Sequence, residues 1–134
     1  MPVDGLVTLQ SNHGPKDTMN RVEVAVAAQG MTVFARTDHA AGAEAAGLSL
    51  RPTELLIFGN ARGGTPLMQA VQTMGIALPL KVFVWQDADS RTWLSYNDPR
   101  WLAKRHGPGQ AIEGVTTAMA AALETIAGAA TSSS

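Results

Sequence analysis

The chain has 134 residues, 46% of them hydrophobic and 16% charged, and no cysteine; that is the size and composition of one folded unit, and it excludes disulfides, thiol nucleophiles, cysteine zinc sites and iron–sulfur clusters. Its 10 basic and 11 acidic residues give a formal net charge of −1, without the basic surplus or stripe of a nucleic-acid binder. No apolar run nears the roughly 18 residues of a membrane-spanning helix, and Asp4 stands where a leader would be basic, so a cytoplasmic chain without a membrane span is expected.

Val3 to Leu9 reads as a strand, punctuated by Ser11-Asn12-His13-Gly14-Pro15. Thr18 to Gln29 has helical spacing in Met19, Val22 and Val26, with Asp17 at its positive end and Gly30 as its stop. Met31 to Arg36 is a second strand. Asp38 then caps a helix from His39 to Ala46, which Gly47 ends. Thr53 to Phe58 is a third strand, apolar on both faces, which suggests burial from two sides or a dimer seam. After the glycine-rich loop 59–64, Thr65 and Pro66 read as N-cap and first residue of a helix running to Met74. Leu78 to Gln86 and Thr92 to Tyr96 flank the turn Asp87-Ala88-Asp89-Ser90 as a hairpin, with Phe83 or Trp85 across the antiparallel ladder from Trp93 or its neighbours. Asn97-Asp98-Pro99 opens a short helix to about Lys104, broken by His106-Gly107-Pro108-Gly109. An Ala-rich helix follows from residue 111 to 127, and 131–134 reads as a frayed tail.

The order β-α-β-α-β-α-β-β-α-α, with no linker and no repeat, predicts a single α+β domain over residues 1–134. Its helices cover a sheet that is mixed and partly antiparallel, or antiparallel throughout.

Several phrases carry a resemblance. Leu50-Arg51-Pro52-Thr53-Glu54-Leu55-Leu56-Ile57-Phe58-Gly59-Asn60 is followed by Gly64-Thr65-Pro66-Leu67-Met68, by Leu78-Pro79-Leu80-Lys81-Val82 and by Tyr96-Asn97-Asp98-Pro99, with Asp38-His39-Ala40 ahead of them. In these the chain resembles the domain-of-unknown-function family numbered 302, small α/β proteins of bacteria and archaea. The resemblance runs from about Gly5 to His106 and leaves the Ala-rich helix outside the family-like core. It implies a two-layer fold around a curved sheet, and a homodimer, which a net charge near zero also fits. It implies no established activity and brings no catalytic residues.

The segment Gly59-Asn60-Ala61-Arg62-Gly63-Gly64-Thr65 joins a strand to a helix start, where free N–H groups favour an anion. Its glycines allow positive φ and close approach. Arg62 offers a charged fork and Asn60 a donor and an acceptor. The segment lacks the lysine and spacing of a P-loop, and the plainer reading is a strand–helix turn. Asp38 and His39 could act as orienter and base, or as a pair of metal ligands, although the plainer reading is a helix cap and its first turn. His39 is expected at the end of a strand neighbouring the loop and so shares the pocket. His13, His39 and His106 lack the spacing of a zinc motif, and no metal or cofactor is expected. Glu54 and Lys81 read as salt-bridge residues, and Trp85, Trp93, Tyr96 and Trp101 as core or dimer packing. Asp87 and Asp89 read as turn residues without the rest of a calcium loop.

Three functions follow from this reading. The first is a binding domain that takes a small anionic or polar ligand at loop 59–65, through Gly59, Asn60, Arg62, Gly63, Gly64 and Thr65 with His39 and Asp38. The second is a structural or protein-interaction module. The third is a small enzyme using His39 and Asp38.

Overall fold

The computed structural model describes residues 3–107 and 112–133. Five strands, β1 Leu6–Gln10, β2 Thr32–Asp38, β3 Thr53–Gly59, β4 Leu80–Gln86 and β5 Thr92–Asn97, alternate with five helices. The helices are α1 Pro15–Ala28, α2 His39–Ala45, α3 Ala61–Ala70, α4 Pro99–His106 and α5 Glu113–Thr131, with a 3-10 segment at Gln72–Ala77. The expected element order and α+β class are found. The expected Pro108–Gly109 break and helix start at Ala111 lie outside the described residues.

The sheet order is β1-β5-β4-β3-β2, and among the described residues every pairing is antiparallel. The hairpin register sets Trp85 opposite Trp93, as expected, and the two rings stack 6.1 Å apart. Alternation then separates two faces. Leu56 and Phe58 of β3, Leu80, Val82 and Val84 of β4, and Leu94 and Tyr96 of β5 face α1 and α5 and are buried. Met19, Val22 and Val26 of α1 and Met119, Leu123 and Ile126 of α5 close that core. Burying a side chain such as Phe58 stabilises the fold by roughly 1.5–3 kcal/mol.

The opposite face carries Leu55, Ile57, Phe83, Trp85 and Trp93, all half-buried. This is the second apolar face that the run Leu55-Leu56-Ile57-Phe58 signals. Thr8, Ser95 and Trp85 form a polar seam across it: the Thr8 and Ser95 hydroxyls lie 2.9 Å apart, and Trp85 Nε1–H donates to Ser95 Oγ at 3.1 Å.

Local chemistry sets most ends. Pro15 occupies the first turn of α1, so this helix starts three residues before the expected Thr18. Asp38 caps α2 by accepting from Ala41 N–H at 2.9 Å, and Asp98 caps α4 by accepting from Arg100 N–H. Gly107, at φ 66°, closes α4 in a conformation that disfavours a side chain. In the hairpin turn Asp87 accepts from Asp89 N–H, Arg91 N–H and Trp93 Nε1–H. The Trp93 bond, then the Arg91 amide, hold its carboxyl below the usual aspartate range. The stabilisation from Asp87 is therefore present above that range and lost as pH falls through the lowered pKa.

Two expectations need correction. The third helix starts at Ala61, capped by Asn60, so Thr65 and Pro66 lie inside it rather than at its start. Residues 131–132 are not frayed: Thr131 is buried in α5, its carbonyl accepts from Asn12 N–H at 2.9 Å, and His13 Nε2–H bonds the Ser132 carbonyl. The β1–α1 loop thereby satisfies carbonyls that a helix C-terminus leaves open.

Candidate functional site

A cavity of about 760 Å³ opens where the C-terminal end of β3 meets α3. Six of the eight predicted site residues line it: Gly59, Asn60, Arg62, Gly63, Gly64 and Thr65. The rest of its wall is apolar. Met31 and Phe34 come from the start of β2, Met68 from α3, Leu78, Pro79 and Leu80 from the entry to β4, and Val115, Ala118, Met119 and Ala122 from α5. Among the described residues of this lining Arg62 is the ionisable one, and it is exposed at the rim.

The helix start is arranged differently from the expected open anion nest. Asn60 Oδ1 accepts from Gly63 N–H at 2.8 Å, and the Asn60 carbonyl accepts from Gly64 N–H at 3.2 Å. The cap thus occupies the Gly63 amide, one of the donors that an anion would use. Gly63 and Gly64 are helical and have no positive φ. Their role is steric. A Cβ at Gly63 would sit 3.2 Å from Met119 Cε, and one at Gly64 would sit 3.6 Å from Leu78 Cδ1. Bare backbone on this side of α3 lets α5 and the β4 entry approach and leaves the cavity open.

His39 and Asp38 do not join this cavity. Because β2 runs antiparallel to β3, Thr32 lies opposite Gly59 while Asp38 lies opposite Glu54. The pair is therefore at the other end of β3, roughly 20 Å away along seven residues of strand. The expectation that His39 shares the pocket assumed a strand running the other way. Asp38 instead lines a second cavity, about 590 Å³, with Lys16, Glu44 and Glu54. Its carboxylate caps α2, and His39 is exposed with its ring 6.3 Å from that of Phe83. Base and orienter are not assembled.

The remaining candidates are placed as follows. His13 lies 3.3 Å from Asp17 in the β1–α1 region, and His106 Nδ1 lies 3.1 Å from Thr73 Oγ1 at the end of α4, so the three histidines stay apart. Among the described residues no group of three His, Cys, Asp or Glu could hold a metal. Lys81 donates to the Pro79 carbonyl. Trp101 packs over Gly5, whose added Cβ would lie 2.3 Å from Trp101 Cδ2.

Sequence reasoning missed Arg36. Its Nε and Nη2 donate to the two Glu54 oxygens, each at 2.9 Å, and Nη1 donates to Glu23 and Asn20 at 2.9 Å. The bond to Glu54 holds the Arg36 pKa above its ordinary value. Glu54 is flagged by the sequence as a salt-bridge residue, but its partner emerges only from the β2–β3 register. A smaller cavity of about 240 Å³ lies between β1, β5 and α5, where burial raises the Tyr96 pKa and Glu124 and Asp98 add to the shift. No described helix is long and apolar enough to cross a membrane.

Comparison with known proteins fits this architecture. Over 122 residues the chain is 46% identical to a Brucella suis biovar 1 (strain 1330) protein named Fluoride-specific ion channel FluC 1, covering 91% of this chain and 48% of that protein. It is equally similar, at 46%, to Fluoride-specific ion channel FluC 2 of Brucella melitensis biotype 1, covering 91% of this chain and 45% of that protein. The chain thus spans about half the length of the curated relatives it matches. Among solved structures, the "Crystal structure of uncharacterized conserved protein DUF302 from Bacillus stearothermophilus" superposes with a TM-score of 0.82 at 18% identity, covering 92% of this chain and 96% of that one. That likeness concerns the fold alone. The family model described as "Domain of unknown function DUF302" matches residues 7–126 and so takes in most of α5, which the sequence placed outside the family-like core. The chain belongs to the DUF302 family.

Proposed function

We propose that this chain is a binding module that takes a small polar or anionic ligand at the β3–α3 junction. One observation carries the reading: the cavity of about 760 Å³ coincides with loop 59–65 and has Arg62 at its rim. That volume lies within the roughly 300–1,000 Å³ of small-molecule sites, which are mostly apolar with a few placed polar groups. Fluoride belongs in the test because the Brucella relatives are named as fluoride channels. The test is a thermal-shift screen against fluoride, chloride, phosphate and carboxylates, since a ligand of the native state raises the melting temperature by mass action. A hit should lose most of its shift in Gly64→Val, which fills the wall, and weaken about tenfold in Arg62→Ala, a loss of about 1.4 kcal/mol of a charged hydrogen bond. Equal binding by wild type and both variants would place the site elsewhere.

An interaction role is the second reading, and we propose a second copy of this chain as the partner. The observation favouring it is the half-buried face of Leu55, Ile57, Phe83, Trp85 and Trp93, which lies opposite the α1–α5 layer. A stable pairing through it should bury above roughly 1,000 Å² in total. Light scattering at micromolar concentration should give twice the chain mass of 14.0 kDa, and Trp85→Glu should halve the value. A wild-type mass of one chain would rule this pairing out.

A further inference from the structure

Building on the proposed β3–α3 site, we infer that its occupant is an amphipathic monocarboxylate: a flexible apolar body inside the cavity and one carboxylate at Arg62. The cavity interior argues for the body. Three methionines, Met31, Met68 and Met119, line it together with backbone exposed at Gly63 and Gly64. Thioether side chains are unbranched and adaptable, so such a wall fits an alkyl chain better than a rigid polar metabolite. The rim argues for the head. Arg62 is the ionisable residue of the lining and makes no ion pair or hydrogen bond within the described residues, so its fork is free for a ligand. A single cation matches a single negative charge. A phosphate dianion would need further donors, and the Asn60 cap already occupies the Gly63 amide. Among the described residues, the lining holds no acidic residue that would repel a carboxylate. The head therefore stays in solvent contact while the chain displaces water from the methionine wall.

The test titrates the 134-residue chain with decanoate, decanol, acetate and inorganic phosphate. The readouts are calorimetry and the amide signals of Gly59, Gly63, Gly64, Gly75 and Gly114, which lie around the cavity. Each methylene that reaches the wall should raise affinity by up to about fourfold. Decanoate should therefore bind at least about 100-fold tighter than acetate and shift those glycines. Arg62→Ala should weaken decanoate about tenfold and leave decanol unchanged. Ala118→Trp, at an exposed α5 position facing the cavity, should weaken both ligands at least about tenfold while the circular dichroism melt stays native. If acetate or phosphate binds at these glycines as tightly as decanoate, the site stands and the amphipathic occupant is overturned. If decanol equals decanoate and Arg62→Ala changes neither, the carboxylate assignment is overturned. If no probe moves the cavity glycines, or if Ala118→Trp leaves decanoate affinity intact, both the occupant and the site fall.

Discussion

Leu123→Asp in α5 is expected to leave the chain unfolded at 25 °C. Leu123 is 1% exposed and Ile126 fully buried, both within the one core cluster shared by α1 and the sheet. Truncating such a leucine to alanine costs about 2–5 kcal/mol through lost transfer energy and the cavity left behind. A carboxylate at the same place adds the penalty of an unpaired buried charge, several kcal/mol more. The sum reaches the roughly 5–15 kcal/mol that holds a whole domain. Circular dichroism and gel filtration should show an expanded chain for Leu123→Asp. The control Ala121→Asp, on the exposed face of α5, should shift stability by no more than about 0.5 kcal/mol. A native melt for Leu123→Asp would make α5 an appendage to a core that stands without it, as an Ala-rich helix beyond a family-like core of 5–106 would suggest. The bonds from Asn12 and His13 to the last turn of α5 argue the opposite, since they tie both ends of the fold together.

How much of this was legible in the sequence depends on how local the deciding force is. The β4–β5 hairpin was, because alternation and a polar turn act within about fifteen residues, and Trp85 does face Trp93. Asp38 as a cap and the helix start at Asn97-Asp98-Pro99 were legible for the same reason. The start of α3 was not. Gly63, Gly64 and Pro66 disfavour a helix interior by roughly 1, 1 and 3 kcal/mol, so local propensity places the start at Thr65. Tertiary packing against α5 and the Asn60 cap override it.

The site was half legible. Loop 59–65 announces itself through its glycines, and the cavity is there. What fills the rest of its wall comes from α5 and from the start of β2, segments far away in sequence whose apolar residues look like ordinary core. His39 was misplaced by one unknown, the direction of β2 against β3, which moves a residue from one end of the sheet to the other. Arg36 was invisible because its partner Glu54 is 18 residues away and meets it only once that antiparallel register is set.

Arg36→Met should cost about 3–5 kcal/mol, the typical penalty for removing one member of a buried pair. The side chains of Arg36 and Glu54 are 22% and 11% exposed, so partial solvation places the expectation at the low end of that range. The loss arises less from the attraction itself than from the Glu54 carboxylate left desolvated between β2, β3 and α1 without its two donors. Glu54→Leu should cost less, because Arg36 retains Glu23 and Asn20 and is itself closer to solvent. The double variant Arg36→Met with Glu54→Leu removes both charges and fills the space with apolar atoms, so it should recover most of the loss. Urea denaturation of the four proteins gives the coupling directly. A double variant as unstable as the sum of the singles would mean that the two side chains act independently. Recovery would mean that the pair contributes little net stability, the cost of desolvating two charges offsetting their attraction across the β2–β3 seam.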